Sequence, residues 1–74
     1  MDYERIYKMY VRSAFSDKCH SIVRAIIYIQ HNFYNMPIEF QNACKELSNE
    51  TQNKIIQTIL WEDEFAKEYK LRRI

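Results

Sequence analysis

The stretch IIQTILWEDEFAKEY, Ile55 to Tyr69, reads as helix throughout, yet its apolar residues do not stay on one side. At about 100° per residue, Ile55, Ile56, Ile59 and Leu60 centre on one direction, while Trp61, Phe65 and Tyr69, spaced i, i+4, i+8, form a second stripe about 150° away. One straight helix cannot bury both stripes against one neighbour. Either the chain bends near Trp61–Asp63, with Asp63 capping a separate last helix, or it continues as one rod. Acid-before-base pairs at i, i+4, Asp63 to Lys67 and Glu68 to Arg72, favour the rod. So does the lack of Gly or Pro in this segment. A rod of about 24 residues spans roughly 35 Å at 1.5 Å each. It packs its first half on the domain and offers Trp61, Phe65 and Tyr69 to something else.

Outward from this segment, the rest of the chain also reads as helix. The sequence has no glycine and a single proline. Glycine serves most turns that need positive φ, so its absence argues against hairpins and for helices joined by short polar links. The first helix is expected over about Asp2 to Ala14, where Tyr3, Ile6, Tyr7, Tyr10, Val11 and Ala14 keep the i, i+3, i+4, i+7 pattern. Arg5, Lys8 and Arg12 lie opposite. Ser16 and Asp17 suit the cap and first turn of a second helix reaching Tyr34. Cys19, Ile22, Val23, Ile26, Ile27, Ile29, Phe33 and Tyr34 fill a broad face there, so this most apolar segment belongs at the centre. Gln30 falls within that face, either bonded inside the core or marking where the face meets water or another chain.

Pro37 suits the first turn of a third helix, with Phe40, Ala43, Cys44 and Leu47 as its stripe. Asn49 and Gln52 have capping-box spacing at the start of the fourth, and Ser48 is an alternative cap. The expected fold is all-α: one domain over 1–74, a small bundle of about four helices, the last long or bent near Trp61.

The composition narrows function by exclusion. Apolar residues make up 47% and aromatics 15% of the 74 residues, which suits a folded core rather than a disordered chain. A chain this short buries only about 60–65% of its unfolded surface, so partner binding or self-association would help it. The formal charge is +1, from 11 basic and 10 acidic residues, unlike a strongly basic nucleic-acid binder. Cys19 and Cys44 are too few for a disulfide framework and read as reduced core or near-core thiols, with a bridge between the two as the alternative. The N-terminus MDYERIYKMY has no signal-peptide h-region. The apolar cluster AIIYI is far shorter than the roughly 20 residues a membrane span needs. A cytoplasmic protein is expected, without membrane contact.

Catalytic and metal chemistry find no motif. His20 and His31 sit about 16 Å apart along one helix at 1.5 Å per residue, too far to share a metal, and read as surface residues. Cys19 and His20 diverge as helical neighbours. Glu62, Asp63 and Glu64 fan around a helix and read as a solvated face. No catalytic residue, metal site or cofactor is expected, and the chain is read as a non-enzyme.

Ile6 to Arg12, IYKMYVR, resembles the Leu-Tyr-Arg opening of the mitochondrial LYR adaptor proteins, small helical accessory proteins that bind acyl carrier protein. Ile6 replaces the leucine and Lys8 the arginine. The resemblance implies Tyr7, Lys8 and Arg12 as contact residues.

The sequence thus points to a small regulator or inhibitor that docks a larger protein. Trp61, Phe65 and Tyr69 are its anchors, with Glu62 and Lys67 as polar rim. The chain is short and rich in Ile, Asn, Tyr and Lys, as in AT-rich viral, phage and plasmid genomes. The alternative is a dimeric nucleic-acid-binding regulator that grips phosphates through Arg5, Lys8 and Arg12. A homodimer suits either reading.

Overall fold

The structure is a computed structural model that describes the backbone of residues 2–72 and the side chains of residues 2–67. Four helices follow one another: α1 (Tyr3–Asp17), α2 (Ile22–His31), α3 (Ile38–Glu46) and α4 (Asn49–Arg72), with a 3-10 turn, Phe33–Asn35, before α3. The described residues contain no strand. No described helix is long and apolar enough to cross a membrane.

The caps explain the boundaries. The Asp2 carboxylate accepts the Arg5 N–H at 3.1 Å and starts α1. Its end differs from expectation, because the apolar face continues through a buried Phe15. The chain then turns through Cys19 (φ 56°) and His20 (φ 60°), both left-handed. The His20 N–H returns to the Phe15 carbonyl at 2.9 Å, and the His20 ring meets the Phe15 ring edge-on at 5.1 Å. This is the 6→1 closure of a Schellman motif with its accompanying side-chain contact, made here without the usual glycine. The second helix therefore begins at Ile22, capped by Ser21, whose Oγ accepts the Arg24 N–H at 3.3 Å. Ser16 and Asp17 belong to α1.

Pro37 stands just before α3, its carbonyl accepting the Phe40 N–H at 3.0 Å. Ser48 rather than Asn49 caps α4, its Oγ accepting the Thr51 N–H at 3.1 Å. The Gln52 amide, freed from any capping box, donates to the Cys44 and Leu47 carbonyls at 3.0 Å each and ties α4 to the end of α3.

The most apolar helix is not the central one. α1 packs against α2, α3 and α4 and contributes Tyr7, Val11, Ala14 and Phe15 to the core. α2 contributes only Ala25 and Ile29. The core is completed by Phe40 and Ala43 of α3 and Ile55 and Ile59 of α4. Tyr7 stacks on Phe40 with ring centroids 5.8 Å apart and planes 8° apart. Much of the apolar surface of α2 faces outward: Val23, Ile27 and Tyr28 are exposed, as are Cys19, Gln30 and Tyr34. Cys19 is thus no core thiol, and Gln30 sits where the apolar face meets water. Cys44 is partly buried, both thiols are free, and burial pushes the Cys44 thiol up.

α4 is a single helix of 24 residues, unbroken at Trp61–Asp63. It runs parallel to α1: Ile55 and Thr58 border Arg5, Glu62 meets Lys8 and Arg12, and Ala66 lies near Ser16. At 1.5 Å per residue its roughly 36 Å exceeds the 15 residues of α1, and the molecule is 43 Å in its long dimension.

Candidate functional site

α4 buries the isoleucine stripe and leaves the aromatic one outside. Ile55 and Ile59 are 8% and 2% exposed, whereas Trp61 and Phe65 are 66% and 60% exposed. The two rings meet edge to face, with centroids 6.1 Å apart, an arrangement the aromatic quadrupole favours. Four residues apart on one helix, they form a single apolar surface. Tyr69, the third expected anchor, lies outside the described side chains, as does the Glu68–Arg72 pair.

Glu62 joins this surface to α1. Its Oε1 lies 3.1 Å from Lys8 Nζ and 3.0 Å from Arg12 Nη2. That oxygen is closed off from solvent and faces both cations at once. Lys8 above all, with Arg12, holds the Glu62 carboxyl below the usual range against the opposing effect of burial. A shallow depression bounded by Arg12, Trp61, Glu62 and Phe65 continues, through Arg12, into a groove on the outer side of α1 lined by Arg5, Met9 and Ser13. Met9 is 54% exposed. Aromatic anchors and basic stripe, separate in sequence, therefore share one face. Sequence reasoning missed Met9; its signal was an apolar residue outside the helical pattern of α1.

Lys67 stands elsewhere. Its Nζ pairs with Asp63 Oδ2 at 3.3 Å, and Asp63 Oδ1 meets His20 Nδ1 at 2.8 Å. At 100° per residue this direction is far from Trp61, so Lys67 is no rim to the aromatic pair. Burial alone would raise the Asp63 carboxyl, but the contacts from His20 and Lys67 hold it below its usual value. His20 and Glu64 are exposed, as expected for surface residues, but His20 pairs with Asp63 and Glu62 with α1, so the 62–64 segment is not merely solvated. Glu62 and Asp63 each bridge α4 to the α1–α2 region, because adjacent helical positions diverge by about 100° and reach two different neighbours.

Tyr7, implied as a contact residue by the LYR resemblance, is 4% exposed and part of the core. Among the described residues no three His, Cys, Asp or Glu side chains gather as a metal-holding group. No family model matches the chain, and no curated protein or solved structure matches it.

Proposed function

We propose that this chain is a small, non-enzymatic, cytoplasmic regulator or inhibitor that docks a larger protein through the outer face of α4. The observation that carries the reading is the exposed, mutually packed pair Trp61 and Phe65 on a helix whose opposite side is core. Exposed apolar patches rimmed by polar residues mark interaction sites, and Trp and Arg are enriched among residues that dominate binding energy. Arg12 at the edge of the pair, with Arg5 beyond it, favours a partner segment that carries apolar side chains flanked by acids. Lys8 and Arg12 lean on Glu62, which leaves the stripe less charge for phosphates and favours the protein reading over the nucleic-acid one.

Selection from a displayed peptide library tests this. The expected result is an enriched class with apolar anchors and flanking acids, bound by the wild type and lost on Trp61→Ala with Phe65→Ala. Trp61 is the sole tryptophan, so its emission reports binding at the site itself. Peptides that bind equally well to the double variant would reject the reading, as would a preference for duplex DNA or RNA at low salt.

A further inference from the structure

α2 leaves an apolar ridge beside an apolar groove, and the two match. The ridge is Val23 and Ile27, 65% and 48% exposed. The groove lies between α2 and the α3–α4 junction. Tyr7 and Phe40 form its floor, Ile26 and Gln30 one wall, Cys44 and Gln52 the other, and it has a volume of about 390 Å³. Tyr34, 89% exposed, stands at its end. Val23, Ile26, Ile27 and Gln30 recur at three- and four-residue spacing on α2, the seam of a helix that expects a helical neighbour. α1 supplies a neighbour on one side only, since α2 does not pack substantially on α3 or α4.

We infer that the α2 ridge and groove form the seam of a homodimer, the ridge of one copy seated in the groove of the other. Three observations select a second copy of this chain as the occupant. First, ridge and groove lie side by side on one molecule, so a two-fold axis satisfies both at once, as an isologous contact requires. Second, the surface is neutral: α2 carries no acid and its cation Arg24 lies off the stripe, so closing the seam buries no like charges. Third, the area suits a dimer better than a small ligand. The exposed parts of Val23, Ile27 and Tyr34 come to on the order of 400 Å², about half of the ~800 Å² per partner of a standard interface before the groove walls are added. A ligand held in the groove would leave the ridge wet.

This seam shares no residue with the α4 face and stands independently of the docking function. Sedimentation and light scattering across ~1 µM to ~1 mM, where small interfaces dissociate, test it. The wild type is expected to pass from one-chain to two-chain mass. Val23→Asp with Ile27→Asp should hold it at one chain with unchanged helical circular dichroism, because both side chains already face water. Trp61→Ala with Phe65→Ala should leave the dimer intact. A wild type monomeric throughout overturns the inference, whether or not its groove takes up an apolar dye. So does a dimer that survives both aspartates or dissolves on loss of the aromatic pair.

Discussion

Arg12 Nη2 lies 3.0 Å from Glu62 Oε1, and the same arginine borders Trp61 and Phe65. One residue of α1 thereby pairs with α4 and edges its exposed aromatic face. Because both side chains stay partly exposed, at 51% and 41%, the pair's worth to stability is small, at most about 1 kcal/mol. Glu62→Gln should therefore change urea unfolding at neutral pH only slightly, while raising affinity for an acidic peptide by freeing Lys8 and Arg12.

The acid limb follows from the same pair. The folded Glu62 carboxyl is held low, so its contribution is complete above the unfolded carboxylate value and lost as pH falls through the lower folded one. Asp63 acts in the same sense. The small stability gap between wild type and Glu62→Gln should close in acid. A gap that widens in acid would refute the assignment.

The left-handed turn predicts a stabilising substitution. Cys19 holds φ 56° without being glycine, a conformation that costs a residue with a Cβ roughly 1–2 kcal/mol. Cys19→Gly should raise the urea midpoint by the equivalent of up to about 1 kcal/mol, the gain being reduced by greater freedom of the unfolded chain. Cys19→Val should lower it, since β-branched residues tolerate positive φ poorly.

Tyr7 sets an alkaline limit. Its folded value of about 12 exceeds the unfolded value near 10. The stabilisation is full below about 10 and lost as pH rises towards 12. Tyr7→Phe should be nearly neutral at pH 7 and should move alkaline unfolding, followed by circular dichroism at low protein concentration, to higher pH.

Much of the fold was legible because it rests on local rules. The period of Tyr7, Val11 and Ala14 fixed the buried side of α1, Pro37 announced α3, and the uninterrupted charge pairs made α4 continuous. The opposed stripes of Ile55–Ile59 and Trp61–Phe65 were readable as angles. What escaped was tertiary. Nothing local says that Cys19 and His20 turn left-handed, because the rule that glycine occupies such positions is a preference and not a requirement. That turn moved the start of α2 from Asp17 to Ile22, and the packing that leaves Val23 and Ile27 at the surface is tertiary as well. The ion pairs of Glu62 with α1 and of Asp63 with His20 were hidden for the same reason, since their partners are 43 or more residues away.

The central claim is that the rings at 61 and 65 belong to a partner and not to the interior. Urea unfolding of Trp61→Ala with Phe65→Ala, set against Phe40→Ala and read beside peptide binding, tests it most directly. Phe40 is fully buried, and its loss should cost about 3–5 kcal/mol, enough to unfold a domain this small. The double variant should stay within about 0.5 kcal/mol per site of wild type, as exposed substitutions do, and lose the bound peptide. A double variant that unfolds like Phe40→Ala, or that keeps full affinity, would contradict the account.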